Sequence, residues 1–251
     1  MWLTFNNLFS PGNKANAGWS KADLHLHTSC SDGWMTPAET VDIIAGQTPL
    51  TVIAITDHDT TDGAFWASEY ARRHHPELEV IIGQEITTGE GDVLGLFLKS
   101  TLPRFATAAQ AIEAIHQQEG LAVAPHPFTY GLAMESVGPA ILRLPFDAVE
   151  ARHGCPLSSP SNVITALVNR FSQRLPALGN SDAHIPYAAG QAFTWFPGRT
   201  GADLYRAIKN NTVRPGGTTW QLPALLRQLA VIAERGWVSY PGNPELQHFK
   251  G

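Results

Sequence analysis

The sequence predicts an α/β fold whose mainly parallel sheet closes, or nearly closes, into a distorted barrel. Three observations carry this. Short apolar runs alternate with longer helix-period segments along the chain. Several runs are apolar almost throughout, as strands buried on both faces are. The 251 residues also match the usual length of one α/β barrel.

The elements come in this order. An N-terminal arm is expected over residues 1–20, and a single barrel domain with a C-terminal helix and tail over 21–251. The first strand is expected at Ala22–Leu26. Thr36-Pro37-Ala38-Glu39 reads as a helix capping box with proline at the first helical position. Strands are expected at Val52–Ile55, Val80–Ile82 and Val93–Leu98. His74 and His75 end a polar helix, where the dipole favours cationic side chains. Ala108, Ala111, Ile112 and Ile115 fall at helical spacing, and Gly120 supplies the stop. Leu121–Ala124 and Ala148–Ala151 are the next strands. After Ser159-Pro160, residues Val163, Ile164, Leu167, Val168 and Phe171 predict a helix with an apolar inward face. Ala177–Leu178 and Ala192–Trp195 are the last strands. Leu222, Leu225, Leu226 and Leu229 predict the C-terminal helix.

Bulk composition narrows the class. Apolar residues make up 43% and charged residues 16%, which is globular. A formal net charge of −5 argues against a broad basic face, so no stable nucleic-acid complex is expected. No apolar run approaches the roughly 18 residues of a membrane span. The N-terminus lacks a basic stretch followed by a long apolar core, so a signal peptide is not expected. Cys30 and Cys155 are too few for a disulfide scaffold, which points to the cytoplasm. Each neighbours a ligand candidate, but a small buried side chain is the simpler reading of both.

The chemistry of such folds collects at the carboxyl ends of strands. His25, His27 and Asp32 follow the first run; Asp57, His58 and Asp59 follow the second. Glu85 follows the third, His126 follows "LAVAP", Glu150, Arg152 and His153 end "FDAVEARH", and Asp182 and His184 follow "PALGNS". Residues i and i+2 of a strand point to one face, so His25 and His27 project together, opposite Leu24 and Leu26. Paired imidazoles suit Zn, Mn or Fe. Asp182 and His184 repeat the spacing. His25, His27, Asp32, His58, Glu85, His126, His153, Asp182 and His184 would serve two or three divalent ions at about three or four ligands each. Three dications would outweigh the three carboxylates and draw in a phosphate dianion. His74, His75, His116 and His248 read as ordinary surface histidines.

In this order, "DLHLHTSCSDG", "ITDHDT", "GQE", "APHP" and "GNSDAH" resemble the motifs of the PHP family, named for polymerase and histidinol phosphatase. "FTWFPGRTGADLYRAI" is similar to the tail of its stand-alone phosphoesterases. The resemblance implies a distorted (β/α)7 TIM-like barrel with a trinuclear centre. His25, His27, Glu85 and Asp182 would hold one ion. Glu85 would bridge to a second, held also by His126 and His153, while Asp32, His58 and His184 would hold the third. Asp32 stands where some members carry His. Asp57 would be an outer-shell partner and Asp59 a turn residue.

The expected reaction is hydrolysis of a small phosphomonoester or nucleotide by a hydroxide bridging the ions. Arg152 is the first candidate to clamp a phosphoryl oxygen and Arg199 the second. His184 or a metal-bound water is the candidate for protonating the leaving group. Trp34, Trp66 and Trp195 are candidates to stack on a base, which keeps an exonuclease acting on short oligonucleotides open. A non-catalytic metal-binding module needs fewer ligands. A C–N hydrolase on a similar barrel usually uses a metal-bridging lysine, and only Lys99 follows a strand-end motif here.

Overall fold

The computed structural model describes residues 18–129, 135–185 and 187–220, with positions 222, 223, 226 and 230. Its strands are β1 (Trp19–Asp23), β2 (Val52–Ile55), β3 (Glu79–Ile86), β4 (Val93–Leu96), β5 (Leu121–Ala124), β6 (Ala148–His153), β7 (Ala177–Asn180), β8 (Ala192–Pro197) and β9 (Arg214–Gly217). The helices are α1 (Pro37–Gln47), α2 (Asp62–His74), α3 (Ala108–Gln117), α4 (Ser159–Phe171) and α5 (Gly201–Lys209). β1 starts two residues before the expected domain boundary, and β9 has no counterpart among the strands expected from the sequence. The rest of the arm, most of the C-terminal helix and tail, and His248 lie outside the described residues.

The strands form one sheet in the order β7-β6-β5-β4-β3-β2-β1-β8-β9. It is mixed rather than mainly parallel. β1–β2, β2–β3, β5–β6 and β6–β7 pair parallel. β3–β4, β4–β5, β1–β8 and β8–β9 pair antiparallel. The turn between Ile86 and Val93 is too short to hold a crossover helix, so β4 must reverse. The sheet curls into a nearly closed barrel, a distorted TIM-like form. Across the seam, the Gly179 N–H donates to Thr194 Oγ1 (3.0 Å), and that hydroxyl donates back to the Gly179 carbonyl (2.9 Å). A Cβ at Gly179 would sit 2.6 Å from the Phe193 carbonyl oxygen, so only glycine permits this approach.

The barrel interior is apolar, with Leu24, Ala54, Ile81, Leu94, Val123, Leu178 and Phe196 meeting Leu204 and Ile208 of α5. α5 therefore plugs the end of the barrel opposite the parallel strands' carboxyl ends. The outer layer packs α1 and α2 on β2 through Val41, Ile44, Ile53 and Ala67, and α3 on β4 and β5 through Ala111, Ile112 and Ile115. α1 and α3 start with capping boxes at Thr36 and Thr107, the first of them as expected from the sequence.

α4 forms where its spacing predicts but turns the other face inward. It buries Ser161 and Thr165 and leaves Phe171 80% exposed. Hydrogen bonding decides the face. Asn162 brackets the His153 backbone, accepting its N–H (2.9 Å) and donating to its carbonyl (3.0 Å). Among the described residues no helix is long and apolar enough to cross a membrane.

Candidate metal centre

Parallel strands bring their carboxyl ends to one mouth, and the sequence-predicted donors meet there. His25 and His27 lie just past β1, on chain that exchanges ladder bonds for side-chain partners. The Leu24 N–H donates to Asn180 Oδ1 (3.1 Å) and the Leu26 N–H to Thr56 Oγ1 (3.1 Å). Leu24 and Leu26 accordingly fall in different apolar clusters rather than on one face. The imidazoles still converge, with ring centroids 5.1 Å apart.

Both rings present Nε2 to the same two carboxylates. His25 Nε2 lies 3.1 Å from Glu85 Oε2 and 3.3 Å from Asp182 Oδ1. His27 Nε2 lies 3.2 and 3.1 Å from the same atoms. Nitrogen and oxygen donors this close together can share an ion, whose bonds to each are about 2.0–2.2 Å. The buried His27 Nε2 and Asp182 Oδ1 have no hydrogen-bond partner despite this closeness. Buried polar atoms rarely stay unpaired, and once the imidazole sheds its proton these atoms face a common point that a cation can fill. The donor set fits divalent metal ions.

A second group gathers His27, Asp32, His58 and His184. His184 Nε2 is 3.0 Å from Asp32 Oδ2, and His27 Nδ1 is 3.5 Å from Asp32 Oδ1. This side is open, with the His58, Asp32 and His184 side chains 32%, 28% and 19% exposed. A third group joins Glu85 and His126 to Asp92, a residue the strand-end rule does not single out. His126 Nε2 is 3.2 Å from Glu85 Oε1, and His126 Nδ1 is a further buried atom without a partner. Burial and the Glu85 charge push the Asp92 carboxyl up to about 8.

His153 stands apart from these groups. The Cys155 N–H donates to its Nδ1 (3.1 Å), so the neutral ring carries its proton on Nε2 and gives it to Asp182 Oδ2 (2.9 Å). It lies outside the grouped donors, beside Asp182. Asp57 Oδ1 accepts from Thr28 N (2.7 Å) and Ser31 Oγ (2.6 Å), and Oδ2 from Thr28 Oγ1 (2.7 Å). It thereby sets the loop that carries Asp32. His126 and Asp182 have φ of +26° and +51°. Each such backbone costs on the order of 1–3 kcal/mol and persists where its surroundings hold it.

Glu150 is fully buried behind the centre. It takes the His25 Nδ1 proton (3.3 Å), the His126 N–H (2.9 Å) and the Asn180 amide (3.0 Å). Holding Nδ1 leaves His25 Nε2 for the ion. Glu150→Gln is expected to weaken metal affinity by about 10–100-fold with the fold intact. Equal Mn²⁺ titration curves for the two proteins would refute this.

The arginines divide. Arg152 is half-buried beside His153 at the mouth, where burial works against its charge. Arg199 is at the other rim. β8 runs antiparallel to β1, so Pro197 pairs with Trp19, and the Gly198 N–H meets the Gly18 carbonyl (2.8 Å). Among the tryptophans, Trp66 stacks on Tyr70 of α2 and Trp195 packs against Phe193 and Lys21. Trp34 is at the mouth, its N–H on the His184 carbonyl (2.8 Å) and its side chain 41% exposed. Elsewhere, His75 pairs with Asp42 and His116 with Asp147, as surface histidines do. Cys30 and Cys155 are both free thiols.

Comparison with known proteins agrees with this picture. A family model described as PHP-associated matches residues 170–213. An uncharacterized protein of Methanocaldococcus jannaschii is 36% identical over 141 residues, covering 52% of this chain and 80% of that one. A 3',5'-nucleoside bisphosphate phosphatase of Chromobacterium violaceum is 37% identical over 95 residues, covering 36% of this chain and 32% of the phosphatase. A two-domain protein of Bacteroides vulgatus containing a predicted PHP-like metal-dependent phosphoesterase superposes with a TM-score of 0.64. It is 20% identical and covers 80% of this chain and 65% of that one.

Proposed function

The chain belongs to the PHP family, and from that premise we propose that it is a metal-dependent phosphoesterase hydrolysing a small phosphomonoester or nucleotide at a centre of two or three divalent ions, Zn, Mn or Fe. The observation that carries this is the run of overlapping buried donor groups, His25 with His27 and Glu85, and His25 with His126 and Asp182, continuous through His27 with the open Asp32, His58 and His184 side. A purely structural site would close around four ligands. This one has more donors than one ion uses, and solvent reaches one side of it.

When bound, the ions supply Lewis-acid charge to the phosphoryl oxygens and lower the pKa of attacking water toward neutrality. His25, His27, Glu85 and Asp182 would hold one ion. Glu85, His126 and Asp92 would hold a second, and Asp32, His58 and His184 a third. Glu150 and His153 orient His25 and Asp182. Arg152 serves the developing charge on the equatorial oxygens. The leaving oxygen would take its proton from His184 if only two ions are bound, and otherwise from a metal-bound water. Trp34, whose N–H meets the His184 carbonyl, is the tryptophan at the mouth and the candidate to stack on a base if the substrate is a nucleotide. The bisphosphate phosphatase named among the relatives supports the same class.

The test is metal removal. Protein stripped with a chelator should lose hydrolysis of p-nitrophenyl phosphate and of nucleoside monophosphates, and added Mn²⁺ should restore both. Full activity in protein shown by elemental analysis to be metal-free would overturn the reading.

A further inference from the structure

We propose that Arg104, carried by Asp59, recognises an anionic group of the substrate other than the scissile phosphate. The proposal rests on the phosphoesterase reading above and adds to it a specificity residue on the open side of the centre.

Two independent ties place Arg104 at the mouth. The first is backbone. Beyond Glu85 the chain of β3 continues through Thr87–Gly89, where it bridges to Phe105. The Phe105 N–H donates to the Thr87 carbonyl (3.3 Å) and the Gly89 N–H to the Phe105 carbonyl (3.2 Å). The segment around Arg104 is therefore laid along the extension of the strand that supplies Glu85. The second is side-chain. Arg104 Nε donates to Asp59 Oδ2 (2.6 Å), and Asp59 is the residue after His58.

Asp59 does not need Arg104 to stay in place. Its N–H donates to the Glu85 carbonyl (2.9 Å), and its Oδ1 accepts the Thr87 N–H (2.9 Å). Its φ of +56° is one that Asp tolerates. The carboxylate is thus fixed from both sides and the guanidinium is the group being positioned. An ion pair this exposed stabilises a fold by only about 0–1 kcal/mol. That is a weak reason to hold an arginine beside a metal centre.

What the pairing leaves available is specific. With Nε engaged, Nη1 and Nη2 make no hydrogen bond or ion pair among the described residues, and the side chain is 72% exposed. That end-on edge is the fork that takes a phosphate or carboxylate bidentately. Its anchor Asp59 follows His58 in the chain, the Trp34 N–H meets the His184 carbonyl, and His58 and His184 belong to one open group. A substrate entering there meets a guanidinium outside the ions, so the favoured class is a phosphoester with a second phosphate on its leaving group.

The experiment compares two ligands that differ by one phosphate. Adenosine 5'-monophosphate and adenosine 3',5'-bisphosphate are competed against p-nitrophenyl phosphate in the metal-loaded wild type, R104A and R104K. The wild type should bind the bisphosphate at least tenfold more tightly. R104A should erase that preference and R104K recover part of it. A ratio taken on one preparation is unmoved by partial unfolding, which lowers both affinities together. A wild type indifferent to the second phosphate, or an R104A protein that keeps the preference, overturns the proposal. If the loaded wild type hydrolyses no phosphoester, the phosphoesterase reading fails instead, and calorimetric titration of the same two ligands still decides the role of Arg104.

Discussion

Asp182→Ala is expected to lower kcat/KM for phosphoester hydrolysis by about three orders of magnitude, which is about 4 kcal/mol of transition-state stabilisation. Asp182 touches four imidazoles, as Glu85 does. Its Oδ1 lies 3.3 Å from His25 Nε2, 3.1 Å from His27 Nε2 and 3.7 Å from His184 Nδ1, while its Oδ2 takes the proton of His153 (2.9 Å). Removing it deletes one ligand and releases two others from their common point. Metal content should therefore fall by at least one equivalent along with activity. The buried imidazoles also lose a counter-charge, so the comparison needs Asp182→Asn, which keeps the shape and one oxygen. The Asn protein should fold with a near-native circular dichroism spectrum and still be strongly impaired. Near-wild-type kcat/KM in a folded Asn or Ala protein would remove Asp182 from the centre and the proposed chemistry with it.

The donors were legible because parallel strands obey a simple rule: the residues just past each carboxyl end lie at the mouth. His58, Glu85, His126 and Asp182 come at or just past the ends of β2, β3, β5 and β7, and the rule finds each of them. Its two failures share one cause. β4 is antiparallel, so its beginning is at the mouth, and Asp92 precedes the strand where the rule searches only behind it. β8 is antiparallel too, so Arg199, just beyond its end, goes to the far rim. Direction is a tertiary property. The one local hint was the short Thr87–Asp92 connection, which allows a hairpin and forbids a crossover. Arg104 was invisible for a related reason, because its place depends on a bridge to the continuation of β3 rather than on a motif. α4 shows the limit of periodicity. The spacing of Val163, Ile164, Leu167 and Phe171 predicts a helix correctly, yet two hydrogen bonds from Asn162 to the His153 backbone turn its small polar residues inward. His153 itself was placed by motif position. Only the Cys155 N–H on its Nδ1 reveals that its other nitrogen serves Asp182.

Loading the metal-free protein with Mn²⁺ is expected to release protons, and the affinity is expected to rise about 10–100-fold per pH unit between pH 6 and 7.5. Burial opposes a charge on His27, but the Asp182, Glu85 and Asp32 carboxylates around it outweigh burial and raise its pKa to about 10. Burial and the Glu85 charge raise Asp92 to about 8. Both groups thus hold a proton at pH 7 in the metal-free state, as does His25, whose pKa the Glu85, Asp182 and Glu150 carboxylates hold well above the usual imidazole value against burial, and each must lose it to become a ligand, one or two per ion bound. Displacing a proton from a group with a pKa near 10 costs about 4 kcal/mol at pH 7, at about 1.4 kcal/mol per unit. That cost shrinks as pH rises, so the sign is fixed: higher pH favours the ion. One proton released gives a tenfold gain per pH unit, and two give a hundredfold. Above about pH 8 Asp92 is already ionised, and the slope should fall to the share that His27 still contributes up to about 10. Isothermal titration at pH 6.5, 7.0 and 7.5, in two buffers of different ionisation enthalpy, counts the protons directly. An affinity flat across that range, with no heat difference between buffers, would mean that the donors are deprotonated before the ion arrives. The carboxylates around His27 and Asp92 would then not be holding protons in the metal-free protein.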